Sequence, residues 1–520
     1  MNSIVWQLAI CVAACVAVAA QGVRWLRVLQ REHYEPASMV RFLGRWTSLP
    51  VVKAGPATMA RIRRPLTLSQ VATIFLLIGL VAHTAVLVVA DALVYGLFCP
   101  VGLSLRGRTS PLHWTRRLRT VAVVAGLLLA LVLALAVASS ALPLGMVTVV
   151  WGVPPALGLS ARLLEPYERR QSQRYVDQAA RRLAQVRPLV VGITGSYGKT
   201  STKNHLADIM AEGGDVIATP KSFNNRAGLS RAINEGLVEG TRVFIAEMGT
   251  YGPGEIAALC EWCPPTMSII TAIGPVHLER MGSLEVIETA KFEITQRAST
   301  VIVNVDDPRL AQWPARLGDR RVRTAGSKSE ANVRVLDDGA QWRLLVDGVE
   351  AAVFAPLESV QPTNFACAIA AALELGCPLD QISRRIGAIR PVANRANVIT
   401  APSGVVVIDD TFNANPASAA ASLALLRSTP VSGRRVVITP GMIELGRDQF
   451  RENAVFASRV SDMGAELVAV GRTNVPALFE GYDGDLRRFE HRDDAVAWVR
   501  SSLAAGDAVL YLNDLPDHYP

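Results

Sequence analysis

The sequence predicts an α-helical transmembrane region at the N-terminus, followed by an α/β central domain and a smaller α/β C-terminal domain. Three observations lead to this fold class. Half of the 520 residues are hydrophobic, and the long apolar runs with little or no charge fall before residue 165. Beyond that point, short apolar strands alternate with helical segments, which is the pattern of a parallel sheet. One of these strands leads through a glycine turn into a helix that opens with lysine and threonine, which is typical of a phosphate-binding loop.

The first apolar run, residues 4–22, carries no charge and is long enough to span a bilayer. A cleaved signal peptide would carry basic residues before its apolar run, whereas here Arg24, Arg27 and Arg31 follow it. We therefore predict an uncleaved helix whose N-terminus lies outside the cell.

Two further apolar stretches are each about twice the length of one span. In residues 65–105 the only charged or histidine side chains are His83 and Asp91, and in residues 120–161 there are none. The segment SSALPLG at 139–145 supplies a turn for the second stretch. Each stretch is predicted to form a helical hairpin, which gives five spans in all. The alternative is a buried helical bundle of a soluble protein.

The basic residues of this region lie between the apolar runs. Residues 23–67 contain nine Lys or Arg against two Glu, and residues 106–119 contain five Arg and no acid. Such loops stay in the cytoplasm, so we expect a multi-pass protein of the inner (plasma) membrane with the part after residue 162 in the cytoplasm. These arginines flank spans and lack interleaved aromatic residues. They predict contact with the lipid bilayer and no nucleic-acid binding.

The domain boundaries follow from these runs and from one amphipathic segment. Residues 165–188 have the pattern of a connecting helix that Pro188 ends. The predicted parts are a transmembrane region at 1–164, this helix at 165–188, a central domain at 189–390 and a C-terminal domain at 391–520.

Residues 189–202, LVVGITGSYGKTST, hold the most informative motif of the chain. Glycines let the backbone curl so that its N–H groups face inward, and the following helix offers the positive end of its dipole to an anion. Lys199 can reach the β/γ-phosphates of ATP, and the Thr200 hydroxyl can hold Mg²⁺. The residues of the predicted ATP loop are Gly195, Ser196, Tyr197, Gly198, Lys199, Thr200 and Ser201.

Polar residues follow three further predicted strands. Glu247 lies at the end of RVFIAEMG, His277 follows TMSIITAIG, and Asn304 lies in TVIVNVDD. Open α/β sheets bind their ligands at the carboxyl ends of the strands, so we expect these residues to converge on the phosphate loop. Glu247 suits a second Mg²⁺ ligand because this ion prefers hard oxygen donors.

Eight stretches follow one another in the order and spacing of a known family. They are ITGSYGKTSTK (193–203), SFNNRAG (222–228), EMGTYGPGEI (247–256), HLERMGSLEVIETAKFEI (277–294), NVDDP (304–308), PTNFACAIAAAL (362–373), IDDTFNANPAS (408–418) and MIELG (442–446). From about residue 189 to 475 the chain resembles the Mur ligases, ATP-dependent ligases that form the amide bonds of peptidoglycan peptides. The resemblance implies the P-loop central domain and the C-terminal domain of that family.

The resemblance also implies roles for individual residues. Lys199, Lys291, His277 and Glu247 would be catalytic, and Thr200, Glu247 and His277 would hold Mg²⁺. Lys291 matches a lysine that is carbamylated in several members of the family. The added negative group would help to position the metal and the γ-phosphate. The nucleotide would further contact Asn364, which reaches adenine, and Arg395, Asp410, Asn413 and Asn415 of the C-terminal domain. Asn224 and Asn225 would face the carboxylate substrate.

The implied reaction joins a carboxylate to an amine through an acyl phosphate, in cell-envelope or capsule polymer synthesis. Membrane spans replace the N-terminal domain with which the family holds a UDP-sugar, which favours a lipid-linked or polymeric substrate and envelope-synthesis proteins as partners. The C-terminus, GDAVLYLNDLPDHYP at 506–520, lacks the basic K-G-S-R segment of the family. Two alternatives stay open: a ligase that resembles poly-γ-glutamate synthetases, and an ATP-gated membrane component without ligase activity.

Overall fold

The computed structural model describes residues 3–36, 39, 42, 85–98, 103, 111–357, 360–389, 397–412, 414–515 and 519. The chain divides into two compact units, Met1–Arg170 with Leu515–Pro520, and Gln171–Asp514. The predicted fold class is confirmed, because apolar helices form the N-terminal part and α/β structure follows.

The first unit is built from helices with apolar surfaces. Their bounds are α1 Ser3–Arg31, α2 Ala85–Phe98, α3 Arg116–Ala138, α4 Leu142–Trp151 and α5 Val153–Val186, the last of which runs beyond this unit. Small residues let these helices approach closely. A Cβ atom on Gly96 would lie 2.3 Å from the Cβ of Ala17, and one on Gly145 would lie 2.2 Å from the Cβ of Ala136. Contacts of this kind are typical of helices that associate in membranes.

Two of the described segments, Gln7–Arg31 and Arg116–Ala138, are long and apolar enough to cross a membrane. Helices α4 and α5 are bent by 63° at their junction and give a third candidate if they are counted as one span. Helix α3 exposes large apolar side chains at intervals of four residues, which places them along one face. They are Val123, Leu127, Leu131 and Leu135.

The predicted arrangement of five spans stays a prediction, because residues 65–84 with His83 lie outside the described residues. The second predicted hairpin turns between α3 and α4, within the segment 139–145. Helix α5 begins at Val153, well before the connecting helix predicted over 165–188. Pro154 and Pro155 occupy its first turn, where proline is tolerated because the N–H group has no helical partner there.

The second unit contains, among its described residues, a sheet of nine strands. Their bounds are β1 Leu189–Thr194, β2 Val216–Ala218, β3 Val243–Glu247, β4 Met267–Ile270, β5 Thr300–Asn304, β6 Arg321–Gly326, β7 Val333–Asp337, β8 Trp342–Val346 and β9 Val349–Phe354. The strand order is β2-β3-β1-β4-β5-β6-β7-β8-β9. The strands are parallel as far as β7, and β7, β8 and β9 form an antiparallel edge.

Helices cover both faces of this sheet. Their bounds are α6 Lys199–Met210, α7 Arg226–Gly236, α8 Glu255–Trp262, α9 Leu278–Met281, α10 Leu284–Phe292, α11 Pro362–Glu374 and α12 Leu379–Ile386. Val191 and Ile193 of β1 pack with α6 and α11 on one face, while Val190 packs with α7 and α10 on the other. Burial on both faces explains why these strands are continuous apolar runs.

A second sheet follows in the same unit. Its strands are β10 Asn397–Thr400, β11 Val406–Asp410, β12 Arg435–Thr439, β13 Glu466–Val470, β14 Arg487–Phe489 and β15 Ala508–Leu512, in the order β10-β11-β15-β12-β13-β14. Only β10 is antiparallel among these described strands. The helices are α13 Pro416–Ser428, α14 Gln449–Asp462, α15 Val475–Gly481 and α16 Arg492–Ser502. This sheet is the predicted smaller α/β part.

Candidate active site

The carboxyl ends of three neighbouring strands frame the phosphate loop. Ile193 of β1 lies opposite Glu247 of β3, and Thr194 lies opposite Ile270 of β4. The loop 195–198 therefore leaves the sheet between Glu247 and the segment that follows β4. This is the edge at which open α/β sheets bind ligands.

Gly198 turns the loop into helix α6. Its φ of +78° is in the left-handed region, and a Cβ atom here would lie 2.2 Å from Oδ1 of Asn364. Only glycine meets both conditions, since it has no Cβ and accepts positive φ. The helix then starts at Lys199, and its first N–H groups are directed at the loop, as anion binding requires.

The segment after β4 holds the loop in place, and this explains why β4 ends at Ile270 and not near residue 274. The N–H of Ser196 donates to the carbonyl of Ala272 (2.7 Å), and the N–H of Gly274 donates to the Ser196 hydroxyl (2.9 Å). The hydroxyl of Thr271 donates to the carbonyl of Tyr197. Ser196 and Tyr197 of the loop thus bond with residues 271–274, while the N–H of Thr271 donates to the carbonyl of Thr194 at the end of β1 (3.0 Å).

Lys199 folds back over the loop. Its Nζ donates to the carbonyl of Gly195 at 2.5 Å and to that of Ser196 at 3.4 Å. These contacts keep the ammonium group beside the backbone N–H groups that would hold a phosphate. Its position fits the predicted role at the β/γ-phosphates.

Glu247 is the centre of a buried polar cluster. Its Oε2 accepts from the Thr200 hydroxyl at 3.0 Å and lies 3.2 Å from Nζ of Lys203, while its Oε1 accepts from Nδ2 of Asn224 at 3.0 Å. Glu247 and Lys203 each have only 1% of their side-chain surface exposed. A buried carboxylate needs such partners, because its desolvation would otherwise be costly.

The described residues contain no group of three or more His, Cys, Asp or Glu side chains arranged to hold a metal ion. The donors beside the loop are the hydroxyl of Thr200 and the carboxylate of Glu247, both hard oxygen ligands. Mg²⁺ usually keeps several waters and binds through one or two carboxylates and the phosphates of its substrate. The donor set therefore fits a Mg²⁺ ion that arrives with ATP.

Lys291 lies on α10 and is buried, with 5% of its surface exposed. Burial lowers the pKa of the Lys291 ammonium well below its ordinary value, and the positive charge of Lys199 lowers it further. A lowered pKa raises the share of the neutral amine at any given pH. Only the neutral amine can add to CO₂, and the predicted carbamate of Lys291 stays a prediction.

His277 lies directly before α9 with a φ of +56°. Its Nδ1 is hydrogen-bonded to the carboxylate of Glu444, and its ring packs against Tyr251 with 4.6 Å between ring centroids. The structure places His277 beside Glu444. This glutamate lies between β12 and α14, in the part of the chain that contains the second sheet.

The remaining predicted residues have mixed placements. Asn364 borders Gly198, and Asp410 ends β11, where its Oδ2 accepts from the Ser422 hydroxyl at 2.6 Å. Two of the predicted asparagines cap helices: Asn225 accepts from the N–H of Gly228, and Asn415 forms a capping box at α13. Arg395 and Asn413 lie outside the described residues. The roles of all these residues in ligand binding stay predictions.

Three residues of the site were missed by the sequence reasoning: Lys203, Thr271 and Glu444. Lys203 follows Lys199 by four residues, and this helical spacing could have placed both on one face of α6. Thr271 and Glu444 act through contacts that are distant in sequence, and no local pattern marks them.

Comparison with known proteins agrees with this geometry. Residues 193–372 match the Mur ligase middle domain, and residues 394–512 match the Mur ligase glutamate ligase domain. The UDP-N-acetylmuramoyl-tripeptide–D-alanyl-D-alanine ligase of Mycobacterium tuberculosis is 34% identical over 354 residues, which cover 62% of this chain and 69% of the relative. The chain belongs to the Mur ligase family. The enzyme of the same name from Bacillus subtilis is 26% identical over 335 residues and covers 62% and 72%.

Solved structures show the same fold for this Mur ligase. MurF from Acinetobacter baumannii superposes with a TM-score of 0.58 at 24% identity, covering 66% of this chain and 77% of that one. MurF from Thermotoga maritima in complex with ADP gives a TM-score of 0.59 at 23% identity and covers 66% and 80%. The predicted family is confirmed, and with it an ATP-dependent ligase that forms amide bonds.

Replacing Gly198 by alanine should weaken ATP binding by this Mur ligase. The new Cβ would meet Asn364, and an L-residue with positive φ costs roughly 1–2 kcal/mol. We expect the dissociation constant of ATP to rise about tenfold or more, since 1.4 kcal/mol is tenfold. Gly387→Ala is the matched control, because no atom lies within 4 Å of the added Cβ. Equal nucleotide affinity in the two variants, measured by calorimetry, would contradict the role of Gly198.

Proposed function

We propose that this Mur ligase is a membrane-anchored enzyme that joins a carboxylate to an amine through an acyl phosphate, at the cytoplasmic face of the plasma membrane. The observation that carries the proposal is the buried Lys291, whose pKa is lowered in part by Lys199 of the phosphate loop. A protein that only binds ATP as a switch has no need of a buried lysine with a lowered pKa beside that loop. In the proposed ligase this lysine would help, as its carbamate, to position the metal and the γ-phosphate.

The first step of the proposed reaction is phosphoryl transfer. A carboxylate oxygen of the acid substrate attacks the γ-phosphorus of ATP, the bond to the β-phosphate oxygen breaks, and ADP leaves. The N–H groups of the loop and Lys199 bind the phosphates and stabilise their charge. Thr200, Glu247 and His277 are the residues that would hold Mg²⁺, which supplies charge neutralisation at the phosphates.

The second step forms the amide. The amine attacks the acyl carbon, a tetrahedral intermediate forms, and inorganic phosphate leaves as the amine loses its proton. Lys291, once its neutral amine has added to CO₂ with loss of a proton, would carry a negative group toward the metal ligands. Both steps require water to be kept from the acyl phosphate, which the closing of the two α/β parts around the site would achieve.

The membrane anchor in this proposal is supported by the two candidate spans and by the arginine-rich loops between apolar runs. These helices precede the segments that match the family, which begin at residue 193. We propose that they bring the ligase to a lipid-linked or polymeric substrate, alongside other envelope-synthesis proteins. The acid would be a peptidoglycan-type peptide, as the names of the relatives suggest.

Release of phosphate by the full chain in detergent tests this proposal. We expect ATP-dependent phosphate release only when an acid and an amine are both present. The acids are UDP-N-acetylmuramoyl-tripeptide and its lipid-linked form, and the amines are D-alanyl-D-alanine and single amino acids. The lipid-linked acid should be turned over faster than the soluble one. Turnover with glutamate alone would favour a poly-γ-glutamate synthetase, and ATP binding without turnover on any pair would favour the ATP-gated component.

A further inference from the structure

A turn that follows a strand of the second sheet contacts His277. This turn, residues 440–446 (PGMIELG), follows β12 and is named here the Glu444 turn. Side-chain amides hold its backbone on three sides. Asn453 accepts from the N–H of Met442 (2.8 Å), while Asn474 donates to the carbonyl of Pro440 (2.9 Å) and Asn513 to that of Gly441 (2.7 Å). The turn is therefore fixed to α14, to the residue that precedes α15 and to the residue that follows β15.

Glu444 is presented by an unusual backbone conformation. Its φ is +62°, in the left-handed region that few residues other than glycine adopt. Its carbonyl accepts from the N–H of Glu279 (3.3 Å), so the turn touches α9 through the backbone as well. Strained conformations of this kind persist where the surroundings impose them, and they cluster at functional sites.

The carboxylate of Glu444 is hydrogen-bonded to Nδ1 of His277. An ionised carboxylate only accepts, so the Nδ1 atom carries the hydrogen, and Nε2 is the nitrogen able to act as a ligand. The ring is further limited by Tyr251, which packs against it and is itself covered by the guanidinium of Arg280 at 4.9 Å from the ring centroid. The tautomer and the orientation of His277 are both fixed from outside its own loop.

We propose that Glu444 is a positioning residue that prepares His277 as a metal ligand, and that it does so only when the two α/β parts are docked. The inference rests on the proposed function, which assigns His277 to the metal. Histidines that bind metals usually donate their other ring N–H to a carboxylate, which fixes the ring and raises its basicity. Here the carboxylate comes from the other sheet. Docking of the two parts therefore completes the metal site.

The coupling has a mechanistic consequence. With the Glu444 turn withdrawn, His277 loses the acceptor that selects its tautomer, and the nucleotide is bound with a weaker metal site. Metal binding and docking then favour each other, since each stabilises the arrangement that the other requires. This would restrict phosphoryl transfer to the docked form, in which water is excluded.

Mn²⁺ binding by the full chain in detergent, with a non-hydrolysable ATP analogue, tests the inference without catalysis. The main variant is Glu444→Gly, because glycine accepts the positive φ and should keep the fold. Glu444→Gln keeps an acceptor for the His277 N–H. Glu466→Ala is the control, since it removes a half-exposed carboxylate on β13 that pairs with Arg434. Loss of such outer partners typically weakens metal affinity by roughly 10- to 100-fold.

We expect Glu444→Gly to bind Mn²⁺ about 10- to 100-fold more weakly and to lose the spin-echo modulation from a coordinated nitrogen. Glu444→Gln should recover most of both, and Glu466→Ala should match the wild type. His277→Ala should lose the nitrogen signal, and adding Glu444→Gly to it should change little more. Wild-type affinity and nitrogen signal in Glu444→Gly would overturn this inference alone. Failure of the wild type to bind Mn²⁺ with the analogue would overturn the proposed metal site and this inference together.

Discussion

Lys291→Ala should slow amide-bond formation severely while nucleotide binding persists. We expect kcat to fall by about 10³-fold, since a preorganised charged group at the reacting phosphate contributes about that much. The dissociation constant of ATP should change little, because Lys199 and the loop N–H groups that bind phosphate stay in place. The measurement is phosphate release at saturating ATP beside nucleotide affinity by calorimetry.

The dependence on pH and CO₂ distinguishes a carbamate from an ordinary lysine. The pKa of Lys291 is lowered by burial and by Lys199, so protonation of the amine is lost at a lower pH than usual. Carbamylation needs the neutral amine, and activity should therefore fall as pH falls through this lowered pKa and rise with added bicarbonate. Lys291→Ala should show neither dependence, and a short carboxylic acid such as acetate should restore part of its rate.

Lys328→Ala is the control for Lys291, because its side chain is exposed. It should keep the wild-type rate and the response to bicarbonate. If Lys291→Ala retains wild-type phosphate release, the ligase mechanism proposed here fails. If it loses ligation but bicarbonate has no effect on the wild type, Lys291 acts as an amine and the carbamate is wrong.

The phosphate loop was predictable because all its determinants are local. The strand, the glycines, the lysine and the helix start lie within fourteen residues, 189–202, and each has its own sequence signature. Glu247 was predictable for a related reason, since a single polar residue at the end of an apolar strand marks the ligand edge of the sheet. The structure places both at that edge, with 3.0 Å between the Thr200 hydroxyl and the Glu247 carboxylate.

Asn225 and Asn415 show how a family motif can hide a structural role. Each asparagine is followed by a helix, and Asn415 is followed by proline at the first helical position, which is the sequence signature of an N-cap. The caps could therefore have been predicted from the residues alone. The contact of Glu444 with His277 could not, because it joins positions 167 residues apart through the packing of two sheets.

The strand after Cys263 illustrates a different limit. Propensity extends this strand through the apolar residues to Gly274, whereas β4 ends at Ile270. The backbone groups of Ala272 and Gly274 bond with Ser196, and tertiary contacts of this kind override local preference. The residues that sequence patterns assign to the sheet instead shape the phosphate loop.

Glu247→Gln should lower both the ligase activity and the stability of the fold, and a second substitution should separate the two effects. The carboxylate lies 3.2 Å from the ammonium of Lys203, and both side chains are 1% exposed. Removing one partner of a buried ion pair costs about 3–5 kcal/mol, because the other charge keeps its desolvation cost without the attraction. We expect a clear fall of the unfolding midpoint of the full chain in detergent. The exposed pair of Arg231 with Glu235 is the control, and Glu235→Gln should shift the midpoint little.

The double variant Glu247→Gln/Lys203→Met removes both charges from the cluster. Replacing a buried ion pair by uncharged groups of similar volume is often neutral for stability, so most of the lost midpoint should return. Activity should not return, because the Mg²⁺ ligand is still missing, and loss of several kcal/mol of charge stabilisation lowers kcat by about 10³-fold. An active double variant would show that Glu247 serves the fold and not the metal. A double variant as unstable as the single one would show that Glu247 stabilises the fold through its hydrogen bonds with Thr200 and Asn224, and not through its ion pair. The ion pair with Lys203 would then contribute little to stability.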